Sequence, residues 1–366
     1  MSHVGHMSHM TPATAADAFL AETRSRVETL LNGFLAHKAR TAATAPRKEL
    51  VELLGEFLRG GKRLRPLLCM TGWHAATGEG DPTPVTRLAA SLELFHAFAL
   101  IHDDVMDASD VRRGRPTVHR TLAGRSPSTR GGDVAERFGT NAAILLGDLA
   151  LTWSDELLHT TDLPEPRRGA VLECLDTMRT EVMTGQYLDL LTTGGSAPDI
   201  DTALSVARKK TASYTVERPL HLGALLADPP QSVLEACTAY GIPLGEAFQL
   251  RDDLLGVFAG PGRTGKPCLD DLRDGKNTVL LSLAFARATP AQADRLRALV
   301  GRPGLTEETA GEIRAILTTT GARAGVEDMI NARHRQALSA LETAPFPPAA
   351  TQVLTQLADK AVLRAL

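Results

Sequence analysis

The sequence has few aromatic residues, few cysteines and no large excess of charge of either sign. Aromatic residues make up only 4% of the 366 positions, and abundant alanine and leucine favour helices over sheets. A net charge of −3 gives no general reason to expect nucleic-acid binding. The four cysteines are scattered and form no CxxC motif. We therefore expect a cytoplasmic protein whose cysteines are reduced thiols and bind no zinc. The four residues are Cys69, Cys174, Cys237 and Cys268.

Several signatures of other protein classes are also absent. No GxxxxGK[ST] loop occurs, and no GxGxxG motif follows a predicted strand, so the sequence indicates no nucleotide-binding loop. No Ser-His-Asp or Cys-His signature is recognisable. Because no run of 18 apolar residues occurs, we predict no membrane-spanning helix. Residues 1–14 lack the pattern of a secretory signal and are expected to be a disordered or tag-like tail.

The stretch from Leu94 to Asp107 is predicted to be an apolar helix that ends in carboxylates. Asp103 and Asp107 are four residues apart, so they share one face of that helix, as does His96. Two like charges this close would each prefer to be neutral, and a hard cation such as Mg²⁺ removes that penalty. The alternative for this motif alone is an acidic cap or a solvated turn.

A second acidic pair follows another apolar helix. Asp252 and Asp253 come directly after the stretch that ends at Phe248, and Gln249 shares a face with Asp252. Two apolar helices that each end in Asp-Asp can meet across one cavity. We therefore predict that carboxylates on opposite walls hold a cluster of metal ions and diphosphate.

Basic residues stand near both acidic pairs and at a predicted helix start, where free N–H groups favour anions. Arginine binds diphosphate oxygens through two hydrogen bonds, although a surface turn or a salt-bridge cluster is an alternative use of these residues. The basic residues, together with one threonine hydroxyl predicted to face the bundle, are Lys62, Arg65, Arg112, Arg113, Lys210, Thr211, Lys266 and Lys276.

The combination of carboxylates, cations and apolar helices indicates a site that holds diphosphates beside hydrocarbon. The chemistry that fits is metal-assisted loss of diphosphate from an allylic carbon in a dry cavity. We predict one all-α domain over residues 15–366, with no strands, and a loop over residues 121–134.

These motifs, in this order, resemble the trans-isoprenyl diphosphate synthases of the polyprenyl synthetase family. The resemblance implies an all-α helical bundle around a central cavity, which is the isoprenoid synthase-type fold, and a homodimer. It also implies head-to-tail condensation of isopentenyl diphosphate with allylic diphosphates. The implied cofactor is Mg²⁺, with three ions expected and Mn²⁺ as a substitute. The residues that carry the resemblance are Gly60–Pro66, His96, Asp103–Asp107, Arg112, Arg113, Gly185, Gln186, Lys210, Thr211, Phe248, Gln249, Asp252, Asp253, Lys266 and Lys276.

The resemblance also implies roles for individual residues. Asp103, Asp107 and Asp252 would hold the metal ions, with Asp104 and Asp253 in support. Lys62, Arg65, His96 and Arg113 would bind isopentenyl diphosphate, whereas Arg112, Lys210, Lys266 and Lys276 would bind the allylic diphosphate. Thr211 and Gln249 would face the developing cation.

Residues on the first apolar helix, just before Asp103, are expected to limit the length of the product. In the resembled family, a bulky aromatic such as Phe98, just below the small Ala99 on the way down the helix from Asp103, is typical of geranylgeranyl (C20) synthases. Farnesyl (C15) and C25 or longer products are the alternatives. The sequence departs from the family at Gly256, where many relatives carry a third Asp.

Two other kinds of protein are alternatives to a synthase. A class I terpene cyclase would need an Asn-Asp metal motif, and this sequence contains no Asn-Asp. A non-catalytic synthase subunit would be expected to lose the aspartates that are present here.

Overall fold

The computed structural model describes residues 12–126, 131–163, 165, 167–194, 199–259, 269–302 and 304–362. These residues form sixteen α-helices, one π-helical segment and one short antiparallel hairpin. In chain order the elements are α1 (Pro12–Arg40), α2 (Ala45–Leu58), α3 (Leu64–Ala75), α4 (Thr83–Met106), β1 (Val111–Arg112), β2 (Arg115–Pro116), α5 (Val118–Gly124), α6 (Gly132–His159), α7 (Arg167–Thr192), α8 (Ile200–Val206), the π segment (Ala207–Glu217), α9 (Arg218–Leu225), α10 (Gln231–Phe258), α11 (Asp270–Asp274), α12 (Val279–Arg287), α13 (Pro290–Leu299), α14 (Glu307–Thr319), α15 (Ala322–Thr343) and α16 (Pro348–Val362).

Local sequence signals explain where several helices begin. Thr289 accepts a hydrogen bond from the backbone N–H of Gln292, whose side chain accepts one from the Thr289 N–H, so α13 begins with a reciprocal cap. Pro290 follows at the first helical position, where proline is favourable because its missing N–H has no helical partner to lose. Thr278 likewise accepts from the Leu281 N–H at the start of α12.

Helix α4 lies in the middle of the bundle and packs along α6, with α1 and α3 also against it. Its Leu88, Leu94, Phe95 and Ile101 side chains are completely buried. By length and composition alone, α4 could cross a membrane, but 67% of its most apolar window is buried inside the protein. A buried core helix meets the same criterion, so α4 does not contradict the prediction that no helix spans a membrane.

The π segment carries Lys210 and Thr211 and is wider than an α-helix. Three glycines on its neighbours leave room for its backbone. A Cβ on Gly245 of α10 would lie 2.3 Å from the Ala212 Cα, one on Gly241 would lie 3.0 Å from the Glu217 Cα, and one on Gly185 of α7 would lie 2.9 Å from the Lys210 nitrogen. Such segments are rare and are frequent at functional sites.

The structure differs from the sequence-based predictions in three places. A hairpin pairs Val111 with Pro116 where no strand was predicted. The predicted loop over 121–134 is partly helical, because α5 extends to Gly124 and α6 begins at Gly132. The composition there favours helix only weakly, but α5 and α6 pack closely against each other. A Cβ on Gly139 of α6 would lie only 2.2 Å from the His119 carbonyl oxygen of α5. The sequence pattern also predicts a single helix over residues 205–226, which the structure divides into α8, the π segment and α9.

Candidate active site

A cavity of about 1110 Å³ lies between α4, α7, the π segment and α10, and we call it the central cavity. Its wall includes Asp103 of the first acidic motif, both members of the second acidic pair and basic residues such as Lys62, Arg65 and Lys210. The rest of its wall includes apolar side chains such as Phe98 and Val182. The structure therefore brings the predicted charged residues and the predicted product-length residues to one site.

Asp103 and Asp189 face the same ammonium group from two different helices. The Lys210 Nζ donates to Asp103 over 3.0 Å and to Asp189 over 2.8 Å. Burial by itself lowers the pKa of Lys210, but the Coulombic effects of Asp103 and Asp189 outweigh it and raise the pKa. The π segment is thus joined to α4 and α7 through one charged side chain.

Arg112 connects the hairpin to the first acidic motif. Its Nε donates to the buried carboxylate of Asp104 over 2.7 Å, and its terminal nitrogen lies 3.6 Å from Asp103. The second Asp104 oxygen is buried and has no hydrogen-bond partner among the residues that the structure describes. Of the two alternatives for Arg112, the structure contains the salt-bridge cluster, at the rim of the central cavity.

Asp107 ends α4 and is paired with a lysine distant in sequence. The Lys276 Nζ donates to Asp107 over 2.7 Å and lies 3.7 Å from Asp271. Burial raises the pKa of Asp107, and the neighbouring Asp103 raises it further, against the opposing effect of Lys276. For Lys276, the lowering by burial is outweighed by Asp271 and Asp107, so its pKa lies well above the usual value.

The second acidic pair has one exposed and one buried member. Asp252 faces the central cavity, whereas Asp253 is buried and accepts a hydrogen bond from the Gln249 Nε2 over 2.7 Å. Burial raises the pKa of Asp253 to about 8, with the opposing hydrogen bond from Gln249 as the next largest effect. Thr211 donates to the Gln249 Oε1 over 2.5 Å, so Thr211, Gln249 and Asp253 form one hydrogen-bonded row.

Gly256 stands where many relatives carry the third Asp of the second motif, and a carboxylate from another helix lies beside it. A Cβ on Gly256 would lie 2.6 Å from the Asp271 Oδ2. Asp271 belongs to α11 and lines the central cavity beside Gly256. An acidic group therefore stands beside the position of the missing Asp, although α10 does not supply it.

A second group of cations lies on the other side of the central cavity. The Arg65 guanidinium stacks on the Tyr214 ring at 4.0 Å and donates to the Thr215 hydroxyl over 2.6 Å. The Tyr214 hydroxyl lies 3.3 Å from the His96 Nδ1. Burial lowers the pKa of His96 well below its usual value, and Arg65 lowers it further, so His96 is neutral at pH 7.

The remaining predicted basic residues have different positions. Lys62 and Arg113 are exposed and line the cavity mouth. Arg63, between Lys62 and Arg65, is instead buried and bonded to Glu93 over 2.7 Å, so it has a structural ion pair. Lys266 lies outside the described residues, as do residues 1–11 of the predicted tail.

The donor set fits a hard divalent cation that is shared with a ligand. Among the described residues, no three His, Cys, Asp or Glu side chains form a ready-made metal cage. Mg²⁺ characteristically takes one or two carboxylates and completes its shell with substrate phosphates and water. The ammonium groups of Lys210 and Lys276 lie against Asp103 and Asp107, so positive charge is already balanced against these carboxylates.

Sequence reasoning missed three residues of this site. Asp189 shares a helix face with Gln186, three residues earlier, and that spacing is the signal that the sequence offers for it. Tyr214 lies four residues beyond Lys210, and its contact with Arg65 depends on the π segment. Asp271 carried no local signal, because its position beside Gly256 depends on how the chain returns after α10.

Comparison with known proteins identifies the family. Residues 47–318, about three quarters of the chain, match the polyprenyl synthetase family. The chain belongs to the polyprenyl synthetase family. The predicted family and the predicted all-α isoprenoid synthase-type fold are therefore both confirmed.

Individual relatives include synthases of two product lengths. The chain is 35% identical over 256 residues to the (2E,6E)-farnesyl diphosphate synthase of Mycobacterium bovis, which covers 70% of this chain and 66% of that protein, just under two thirds of its length. It is 33% identical over 294 residues to the geranylgeranyl diphosphate synthase of Mycobacterium tuberculosis, covering 79% of this chain and 77% of that protein. Among solved structures, the geranylgeranyl pyrophosphate synthase of Corynebacterium glutamicum, complexed with isoprenyl diphosphate and magnesium, has a TM-score of 0.87 and 39% identity, covering 95% of this chain and 99% of that one.

Proposed function

We propose that this polyprenyl synthetase joins isopentenyl diphosphate head-to-tail to allylic diphosphates, with geranylgeranyl diphosphate as its main product. The observation that carries the proposal is the central cavity, whose wall combines carboxylates of both acidic motifs and two groups of cations with apolar side chains. That arrangement matches a substrate with a diphosphate at one end and a hydrocarbon chain at the other. The family and its farnesyl and geranylgeranyl relatives support the same reaction.

The allylic substrate would bind at the acidic end of the cavity. Asp103 and Asp107 would hold Mg²⁺ on one wall and Asp252 on the other, consistent with the magnesium in the Corynebacterium glutamicum structure. Three ions, with Mn²⁺ as a substitute, remain part of this proposal. When bound, the metal neutralises the leaving diphosphate and weakens its bond to the allylic carbon. Lys210 and Lys276 would then move from their carboxylates to the diphosphate oxygens, together with Arg112 and Lys266.

Isopentenyl diphosphate would bind on the opposite side of the cavity. Lys62, Arg65 and Arg113 supply positive charge there, and neutral His96 can donate one hydrogen bond from its Nε2 when its Nδ1 accepts from the Tyr214 hydroxyl. The two substrates would thus be held by separate sets of cations, with their reacting carbons between them.

The row from Thr211 to Asp253 would act beside the reacting carbons. Because the Gln249 amide is fixed at both ends, its oxygen and the Thr211 hydroxyl present lone pairs in a fixed direction. These dipoles would stabilise positive charge on the allylic carbon as its bond to diphosphate breaks. The double bond of isopentenyl diphosphate forms the new carbon–carbon bond, and the proton then lost goes to the released diphosphate.

Product length is the finer part of the proposal. Phe98 lies five residues before Asp103, or about 7.5 Å down α4 at about 1.5 Å per residue. Above it Ala99 leaves space, so the apolar wall can accept a chain up to Phe98. A C15 product and C25 or longer products remain the alternatives, since the relatives include both farnesyl and geranylgeranyl synthases.

We further propose that the protein acts as a homodimer through α6 and α7. Of the nine large hydrophobic side chains that are exposed in the described part of the chain, eight lie on these two helices: Val134, Phe138, Ile144, Leu145, Met183, Tyr187, Leu190 and Leu191. Exposed apolar patches of this kind mark interaction sites. The cytoplasmic location and the lack of nucleic-acid binding stay predictions from composition.

Product analysis tests the reaction directly. The protein is incubated with Mg²⁺, isopentenyl diphosphate and, separately, C5, C10 and C15 allylic diphosphates, and the dephosphorylated products are sized by mass spectrometry. We expect a C20 alcohol from each primer. A C15 or longer product would keep the chemistry and change the length, whereas diphosphate release with a hydrocarbon product would identify a cyclase.

A further inference from the structure

His102 has no role in the proposed reaction, yet its ring is held from two sides. It lies directly before Asp103 on α4 and lines the central cavity. Its Nε2 lies 3.1 Å from the carbonyl oxygen of Ile144 on α6, a distance at which a protonated Nε2 donates a hydrogen bond. The ring is therefore fixed to the neighbouring helix α6.

The absence of a side chain at Gly147 makes room for this ring. A Cβ at that position would lie 2.3 Å from both the Cδ2 and the Nε2 of His102. Gly147 is buried inside α6, where glycine is less favourable than alanine by about 1 kcal/mol. The close approach of the imidazole gives a physical reason for glycine at this position.

The His102 ring is also in contact with Phe98, on its own helix. The two rings meet edge to face, with 4.7 Å between centroids, and Phe98 continues to Phe95 at 5.3 Å. Phe95 is completely buried and meets the Tyr214 ring edge to face at 5.8 Å. Phe98 is thus held between an immobile core residue and a histidine fixed to α6.

We propose that His102, seated against Gly147, is the positioning residue that holds Phe98 and thereby limits the length of the product. This inference rests on the proposed synthase activity and deepens it. Phe98 would limit the hydrocarbon chain directly, whereas His102 would act through the position of the Phe98 ring. Edge-to-face contacts are specific in geometry, so displacement of one ring is transmitted to the next.

Two substitutions should change product length in opposite directions. In Gly147→Ala the new methyl group displaces the imidazole away from α6 and towards the cavity, so the main product should become shorter by one C5 unit. In His102→Ala the cavity gains the volume of the ring and Phe98 loses one support, so the main product should become longer by at least one C5 unit. Phe98→Ala should also give longer products.

The double variant separates this mechanism from general damage to the fold. If Gly147→Ala acts through the imidazole, it should have no further effect on product length in the His102→Ala background. Gly33→Ala is the matched control, because nothing lies within 4 Å of a Cβ on Gly33 of α1. Circular dichroism establishes that each variant is folded.

A second measurement covers variants that lose turnover. Each folded variant is titrated with C15 and C20 allylic diphosphates in the presence of Mg²⁺, and the ratio of the two affinities reports the accepted chain length. We expect a shift towards C15 for Gly147→Ala and towards longer chains for His102→Ala. Unchanged product lengths and affinity ratios in both variants, with an active wild type, would overturn the inference. A wild type that elongates no primer would instead show that the proposed function itself is wrong.

Discussion

The Lys276 ammonium nitrogen lies 2.7 Å from a carboxylate oxygen of Asp107, which joins the start of α12 to the end of α4 across the central cavity. Both side chains are largely shielded from water, with exposed fractions of 17% and 9%. The two residues are 169 positions apart in sequence, so this contact is a long-range link between two parts of the fold.

Removal of the Lys276 ammonium group should destabilise the substrate-free protein. Lys276→Ala leaves Asp107 shielded and without its main partner, which should lower the free energy of unfolding by about 1–3 kcal/mol. Urea denaturation measures this change. Lys360→Ala is the control, because its ion pair with Asp17 is more than half exposed on both sides and should contribute nothing measurable. Equal losses in the two variants would contradict the assigned importance of the buried pair.

Removal of the Asp103 carboxylate should abolish turnover while the fold stays intact. Asp103→Ala takes away a proposed metal ligand, and we expect the rate to fall by at least about 10²-fold. Mg²⁺-dependent thermal stabilisation in the presence of inorganic diphosphate should be lost as well. Asp110→Ala is the matched control, since Asp110 is exposed, pairs with Arg120 over 2.6 Å and lies just beyond the motif. Retained activity in Asp103→Ala would disprove the metal assignment.

Restoration of the third Asp in the second motif should be harmful in this chain. Gly256→Asp would bring a second carboxylate against Asp271, whose oxygen lies 2.6 Å from the Cβ position. We expect activity to fall about tenfold or more. Gly256→Asn has the same shape without the charge and should be impaired less.

The double variant Gly256→Asp/Asp271→Ala should recover much of the lost activity, because it leaves one carboxylate at this place. Steady-state rates and melting temperatures measure the recovery. Full activity of the single Gly256→Asp variant would show that the two carboxylates do not compete for this space.

Sequence reasoning located the features that depend on local spacing. The first acidic motif comes at the end of the apolar helix α4, whereas Asp252 and Asp253 lie inside α10, which continues to Phe258. The cap at Thr289 follows from neighbouring residues. These features arise within one helix and its flanks, where helical periodicity and capping chemistry determine the structure. Asp103 lies in the last turn of α4 and Asp107 is its C-cap residue.

Features that depend on contacts between distant segments were not predictable in this way. The backbone of the π segment lies against three glycines on α7 and α10. The sequence does not show which segments these glycines contact, because those contacts form only in the folded chain. Asp271 of α11 lies beside Gly256 of α10, although the two residues belong to different helices. The partners of Lys210, which are Asp103 and Asp189, come from two other helices. Such contacts carry no signature in the residues nearest to them.

Acidification should destabilise the substrate-free protein through His96. Its pKa in the folded state is well below the usual value, first because of burial and then because of Arg65 and Arg112. The unfolded chain takes up a proton near pH 6.5, whereas folded His96 does not, so stability is lost as pH falls below about 6.5, by up to about 1.4 kcal/mol per pH unit. Melting temperatures at pH 7.5, 6.5 and 5.5 measure this loss, which should be smaller in His96→Gln. His37→Gln, at an exposed position on α1, should keep the wild-type slope.

Insertion of a charge into the exposed apolar surface of α6 should separate the proposed dimer. Leu145 is 64% exposed in the single chain, and a carboxylate at its place would be buried without a partner if a second copy covers α6. We expect the wild-type protein to have the mass of a dimer in light scattering after gel filtration, and Leu145→Glu to have the mass of a monomer. Ala36→Glu introduces the same charge at an exposed position on α1 and should leave the dimer intact. A monomeric wild type would show that the protein does not form the proposed dimer. A dimeric Leu145→Glu variant would show that the dimer surface lies elsewhere, because burial of an unpaired carboxylate would strongly destabilise an interface at α6.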